Sequence, residues 1–339
     1  MSTYRAVMLK GKGGLDQLQE TVLPLSEPGA GELRIKVRAS GAGSTDITMR
    51  TGYYPYAPKF PFVQGYEVVG EVDAIGPGVS GFQRGQRVCA LTVYGGWGEY
   101  LVRDATDFLP VPDGLDDGEV IALILNYVTA HQMIHRTAEM KPGQLGLVTG
   151  ANGGVGVALL ELLRIHGARA IAAASPRHFD FIKSQGGEPI ESRKQPLDQP
   201  VHALHPEGVD VAFDGVSGKI TGECIAATKR GGIVIGYGFM GAMEPGAAGM
   251  LSAARGSTSL FLGAPLRGRR SAFYGITALY RKDKQPFRSD LPKLFQLLSA
   301  GQIKPRIAAR LPLLAGRQAT ELLIAGGVTG KIVLLADVH

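Results

Sequence analysis

Cysteine is nearly missing from this chain: Cys89 and Cys224 are the only two. They offer neither a disulfide framework nor the C-x-x-C spacing of a metal site, and nothing points to an oxidising compartment. Long apolar runs are missing as well. No uninterrupted stretch reaches the ~18 residues that a membrane-spanning helix needs. The apolar run VIALILNYV (120–128) is too short and reads as a buried element. The opening MSTYRAVMLK has no apolar core, so no secretory leader is expected. A cytosolic location without a membrane partner is therefore the expectation.

Acidic residues are in deficit. Lys and Arg number 36 against 30 Asp and Glu, a formal net charge of +6. Part of the excess is local, in LRGRRSAFYGITALYRKDKQPFR (266–288), where seven basic residues face Asp283 alone. That segment reads as a solvated basic surface, as a rim attracting an anionic cofactor, or as a nucleic-acid surface. No RNA-binding motif accompanies it, so nucleic acid is not an expected partner. Metal-ligand spacing is also lacking. His131 and His135 lie four apart, yet no third ligand is spaced to join them, so they read as surface or core histidines.

What is present is globular: 339 residues, 45% hydrophobic, enough chain for two cores. The 48 glycines are spread among strand-like runs and mark tight turns. Up to about residue 124 the chain is β-rich. YRAVMLK, ELRIKVRAS, YEVVGEVDAIG, QRVCALT and WGEYLVR are short alternating runs split by Gly, Pro and Asp. From about 145 to 262, apolar strands alternate with helical stretches. LGLVT, ARAIAAA, EPI, VDVAF, GIVIGYG and SLFLG are the strand candidates. Such alternation predicts a parallel sheet covered on both faces. The last part is mixed, with helical SDLPKLFQLLSAG and ELLIAGG and a closing strand GKIVLLA.

The most informative stretch is GANGGVGVALLELLRIHGARAIAAASPR (150–177). It has the form strand, glycine turn, buried helix, strand, with Gly167 placed to stop the helix. Asn152, Gly153, Gly154, Val155 and Gly156 form the turn. Glycines there let a pyrophosphate approach backbone N–H groups at a helix start, where donors are unpaired and the dipole is positive. Ala151 stands where the strict G-x-G-x-x-G fingerprint has glycine. At the end of the second strand, an acid would hydrogen-bond a ribose 2′-hydroxyl and repel a 2′-phosphate. Ala174 stands there instead, followed by Ser175 and Arg177. A hydroxyl plus a guanidinium suits a phosphate, so NADPH is expected over NADH.

With these residues placed, the chain resembles the medium-chain dehydrogenase/reductase superfamily. Within it, the chain is similar to the zinc-free quinone oxidoreductase branch of ζ-crystallin-like and vesicle amine transport protein-like members. The resemblance spans nearly the whole chain. It rests on GAGSTDITMRTGYYP (41–55), FVQGYEVVGEVDAIGPGVSGFQRGQRV (62–88), YGGWGEYLV, LPVPDGL, NYVTAHQMI, KPGQLGLVTGANGGVG, GVDVAFDGVSG and GGVTGKIVL. It implies an α/β protein: a GroES-like β-rich catalytic domain from 1–124 and 265–339, and a Rossmann doubly wound parallel-sheet domain from 125–264. It also implies a homodimer, joined through a Rossmann edge strand near 258–262.

The same resemblance places the residues of zinc relatives. Gly43, Tyr66 and a position near Leu125 stand where those relatives carry cysteine, histidine and cysteine, so no metal is expected. Without a Lewis acid, hydride removal from a simple alcohol is disfavoured, and hydride delivery to a conjugated acceptor is easier. Quinones, α,β-unsaturated carbonyls and enoyl thioesters fit, and the sequence does not separate them. Tyr54 matches a tyrosine of the resembling reductases, either as a proton donor or as a wall of the pocket. Asn126 and Thr129 match positions near the nicotinamide. Tyr237, Gly238 and Phe239 match cofactor-lining positions, DGVSG (214–218) an adenosine-side loop, and Lys331 a phosphate contact. The leading expectation is a zinc-independent, NADPH-dependent reductase acting on a small hydrophobic carbonyl or quinone. A non-catalytic NADPH-binding protein, crystallin-like, regulatory or RNA-associated, stays open beside it. An alcohol dehydrogenase that lost its zinc is disfavoured.

Overall fold

The computed structural model describes residues 2–239 and 247–336. In chain order its strands are β1 Thr3–Leu9, β2 Leu18–Pro24, β3 Glu32–Ala42, β4 Phe62–Val63, β5 Glu67–Ile75, β6 Arg87–Leu91, β7 Tyr100–Asp104 and β8 Leu109–Pro110. There follow β9 Leu145–Thr149, β10 Arg169–Ala174, β11 Glu188–Glu191, β12 Val209–Asp214, β13 Thr228–Gly236, β14 Arg270–Phe273, β15 Ile307–Pro312 and β16 Lys331–Leu335. The chain divides into two compact units, Met1–Leu125 with Asp283–His339, and Asn126–Lys282. No described helix is long and apolar enough to cross a membrane.

The first unit carries two sheets. One has the order β2-β1-β4; the other runs β15-β16-β3-β5-β6-β8, with β7 also paired to β3. The pairs β3–β5, β5–β6 and β3–β16 are antiparallel, and Ile332 faces Ala42. Alternation along β3 and β5 turns Leu33, Ile35, Val37, Val68 and Val72 inward, all nearly inaccessible to solvent. Every strand expected in the first third is present. Those missed in this unit are β2, whose side chains are mostly exposed, β15, which alternates half-buried with exposed residues, and the two-residue strands β4 and β8.

The second unit is one six-stranded sheet, order β11-β10-β9-β12-β13-β14, with every pair parallel. Numbered from β9, this is the doubly wound order 3-2-1-4-5-6, whose direction reverses between β9 and β12. Ligands of such sheets bind outside the carboxyl ends of the strands at that reversal. The β9 run LGLVT and most of β10 and β12 are buried, as strands covered on both faces must be. The glycine turn leads into the helix Gly154–Ile165, and Gly167 at φ 74° ends it.

Two expectations are corrected. SLFLG (259–263) is not a strand: it continues the helix Ala247–Thr258 as a wider turn, Ser259–Gly263. No proline or turn separates the two runs, so helical hydrogen bonding carries on, and a short apolar run does not reveal its own period. The edge strand of the sheet is β14, Arg270–Phe273, which pairs with β13. For the same reason residues 265–282 belong with the parallel sheet, not with the β-rich unit to which the resemblance assigned them.

Candidate active site

The loops at the carboxyl ends of β9, β12 and β13 are tied to one another. Asp214, buried at the end of β12, accepts from Val216 N at 3.0 Å, Ser217 N at 2.9 Å and Thr221 Oγ1 at 2.7 Å. Thr149, ending β9, reaches the same carboxylate at 3.3 Å and takes the N–H of Gly215 at 3.0 Å. Asp214 thus shapes the DGVSG loop, and its oxygens are occupied by protein donors. Tyr237 follows β13. Its N–H donates to Asp214 O at 2.9 Å, and burial raises its phenol's pKa, with Asp214 adding to the effect. Gly238 lies against Gly215, where a Cβ would strike the Gly215 carbonyl. Phe239 is exposed and tilted against Phe273 at 5.2 Å between ring centroids. Met240 and Gly241 of the same motif lie outside the described residues.

At the start of the Gly154–Ile165 helix, Gly153 is the N-cap and no side chain caps the first turn. Its N–H groups are therefore available to an anion. Gly156 sits so close to Gly150 and Ala151 that a Cβ would collide with their backbone. A Cβ on Gly154 would strike the Asn126 amide, so the glycine at that position makes room for this side chain. Asn126 lies in a wide helical turn, Leu123–Tyr127, and Thr129 in the helix that follows, Val128–Gln132. Tyr127 anchors this segment to the turn helix through Glu161 Oε2 at 2.6 Å. Thr129 is 5% exposed, and its hydroxyl has no partner among the described residues. An uncapped helix start, a backbone cradle that a Cβ would fill and an orphaned buried hydroxyl fit a dinucleotide with a nicotinamide amide at one end.

At the end of β10, Ser175 is half-buried, and its side chain caps nothing in the turn Pro176–His178. Arg177 is exposed, and its Nε donates to His178 Nε2 at 3.1 Å. Burial, with Arg177 alongside, lowers the His178 pKa, so the ring stays neutral and serves as an acceptor that orients the guanidinium. The neighbouring strand adds residues that linear reading missed. Ala174 is in register with Glu191, and Ser192 N donates to Ala174 O at 3.1 Å, which sets Ser192 beside Ser175, with Arg193 and Lys194 following.

The β-rich unit holds a second constellation. Tyr54 is half-buried after the helix Ser44–Arg50, its N–H on Thr48 O at 3.2 Å. Its hydroxyl lies 2.5 Å from that of Tyr66, which is 2% exposed. The same unit buries three ionisable side chains, Glu67, Lys331 and Asp46. Lys331 pairs with Glu67, and Gly41 makes the space, because a Cβ there would overlap both side chains. Lys331 is only 4% exposed, so its ammonium is committed to Glu67. Asp46 Oδ2 accepts from Gly43 N at 2.9 Å. Burial raises the Asp46 carboxyl to about 7, Glu67 adding to the rise and Lys331 opposing it. Asp46 was not singled out by sequence, and Tyr66 only as a position without a zinc ligand; their roles depend on contacts between segments far apart in the chain. Among the described residues, no group of three or more His, Cys, Asp or Glu is placed to hold a metal ion.

Comparison with known proteins gives this geometry its setting. Residues 29–113 match the alcohol dehydrogenase GroES-like domain and residues 186–334 the zinc-binding dehydrogenase family. Gly43, Tyr66 and Leu125 all lie outside the second stretch. The human synaptic vesicle membrane protein VAT-1 homolog-like is 30% identical, over 97% of this chain and 80% of its own length. The quinone oxidoreductase of Rattus norvegicus is 28% identical over 98% of this chain and 97% of its own. Among solved structures, the human VAT-1 homolog-like protein superposes with a TM-score of 0.85 at 27% identity over both full chains. A mycobacterial protein solved with NADPH superposes at 0.84 and 26% identity, over 98% of this chain and 99% of that one.

Proposed function

The chain belongs to the medium-chain dehydrogenase/reductase superfamily of oxidoreductases, in the branch of quinone oxidoreductases and VAT-1 homologues, and on that premise we propose that it is a zinc-independent, NADPH-dependent reductase of quinones or α,β-unsaturated carbonyls. The observation that carries the reading is the glycine turn over the reversal of the parallel sheet, with an uncapped helix start and Asn126 held against Gly154. When bound, NADPH supplies a hydride. Backbone N–H groups at Gly154, Val155 and Gly156 hold its pyrophosphate; Asn152 and Gly153 shape that turn. Asn126 and Thr129 take the nicotinamide end, with Tyr237, Gly238 and Phe239 along the cofactor's length. Ser175 and Arg177, joined by Ser192, Arg193 and Lys194, take the 2′-phosphate, where a carboxylate would repel it. Lys331 acts at a distance, by neutralising the buried Glu67.

Zinc independence rests on what fills the ligand positions of zinc relatives. Gly43 offers only backbone, spent on Asp46, and the Tyr66 hydroxyl lies on Tyr54. In place of a Lewis acid, a phenol at Tyr54 steadies or protonates the oxygen that gains charge. The working form in this proposal is a homodimer built on the parallel-sheet unit, where Phe261, Leu262, Leu266 and Phe273 expose apolar surface at the edge strand β14 and the segments packed on it. The test is oxidation of NADPH and NADH by the purified protein with a p-quinone and with an alkenal. Turnover preferring NADPH is expected. Tight NADPH binding without turnover of either acceptor would refute the enzymatic reading.

A further inference from the structure

Two phenols at 2.5 Å are rare neighbours, because each must find a proton arrangement that satisfies both oxygens. The Tyr54 and Tyr66 rings meet edge to face, 6.0 Å between centroids and 76° apart, and Tyr56 closes on Tyr54 from another side at 5.8 Å. Tyr66 is fixed from its own backbone, since its carbonyl accepts from Thr92 N and Val93 N, both at 2.9 Å. It is 2% exposed, whereas Tyr54 is half-buried. One oxygen is thus locked in the interior and the other faces outward from it.

We propose that Tyr66 is a positioning residue that makes Tyr54 a proton donor, and that this couple selects acceptors whose reduction leaves a strongly basic enolate, namely α,β-unsaturated aldehydes and ketones, over quinones. The inference rests on the reductase reading above. In the step, the acceptor gains a hydride at its β-carbon, and the alkene π pair moves to give an enolate. The Tyr54 O–H bond breaks and its proton passes to the α-carbon of the enolate, where a C–H bond forms and the carbonyl is restored. The Tyr66 O–H donates a hydrogen bond to the Tyr54 phenolate so formed, and water returns the proton to Tyr54. A hydrogen bond to the charged form favours that form, so Tyr66 makes Tyr54 the stronger acid. A hydroquinone monoanion is a far weaker base than an enolate, so it leaves the active site without needing such a donor. With Lys331 paired to Glu67, that buried ion pair adds no net charge to oppose the phenolate.

The test is Tyr66→Phe, which keeps the ring and removes the oxygen, with Tyr54→Phe beside it. In protein carrying tyrosine labelled with carbon-13 at the ring carbon bearing the hydroxyl, NMR titration should show the Tyr54 resonance titrating about one pH unit higher in Tyr66→Phe than in wild type. For turnover, kcat with an alkenal should fall about tenfold or more, with KM and NADPH affinity unchanged, while p-quinone reduction stays within about twofold. An unmoved Tyr54 titration overturns the coupling. Equal losses on both acceptors overturn the selectivity. A wild type that binds NADPH but reduces neither acceptor overturns the reductase reading itself, and the NMR titration separates that failure from failure of the pair.

Discussion

Asp46→Asn isolates the carboxyl buried near Glu67 and Lys331. The folded protein keeps the Asp46 proton to about 7, whereas an ordinary aspartate releases it at 3.8. Between those values the folded state binds one proton more than the unfolded chain, so stability falls as pH rises. The contribution is fully present below the unfolded value and is lost through the folded one, about 4 kcal/mol in all at roughly 1.4 kcal/mol per unit. Between about pH 5 and about pH 8, wild type should lose about 2–3 kcal/mol that the neutral asparagine variant keeps. The assay is urea unfolding followed by Trp fluorescence. The single tryptophan, Trp97, is fully buried in this unit, with its indole N–H on Gly41 O at 2.9 Å, so it reports the unit in question. The curves of stability against pH should diverge, with the variant gaining on wild type toward alkaline pH. Curves that run parallel would mean that Asp46 is ionised in the fold throughout, and the argument from burial would fail.

Arg177→Ala should weaken NADPH about tenfold to a hundredfold while leaving NADH nearly unchanged, read by fluorescence titration, because it removes a charge-assisted bond to the extra phosphate. Equal losses would remove the phosphate from that position. Gly156→Ala should lower affinity for both cofactors and destabilise the parallel-sheet unit by about 1–3 kcal/mol, since the new methyl meets the backbone of Gly150 and Ala151; thermal unfolding and cofactor titration check both. Leu266→Asp, at a site 87% exposed, should shift the protein from dimer to monomer in light scattering without changing its far-UV spectrum. An unchanged mass, or a wild type that is already monomeric, would refute the proposed dimer at this surface.

Much of this was legible in linear order because the signals are local. The strand–turn–helix–strand unit at 145–174 needs only the period of its apolar residues and the placing of Gly156 and Gly167. Other features lie in pairings that no window of sequence contains. Ser192 comes beside Ser175 only because Glu191 is in register with Ala174. Lys331 looked like a phosphate ligand, yet it lies against Glu67, which the chain reaches more than two hundred residues earlier. Tyr66 drew notice for lacking imidazole, and its distance to Tyr54 is a property of packing. SLFLG misled for a plainer reason: five apolar and small residues carry too little period to tell a strand from the end of a helix.

Strand β3 has β5 on one side; on the other, β7 pairs with Glu32–Lys36 and β16 with Ala39–Ala42, so the longest strand of the β-rich unit is completed by a segment far along the chain. During synthesis the parallel sheet, whose six strands lie in one continuous stretch, can close while the ribosome is still working. The β-rich unit must wait, with the Ala39–Ala42 end of β3 open on one flank, until β16 emerges. A stop codon placed shortly before residue 331 would thus leave a bare edge in the middle of a sheet, an invitation to pair with strangers, while sparing the nucleotide fold.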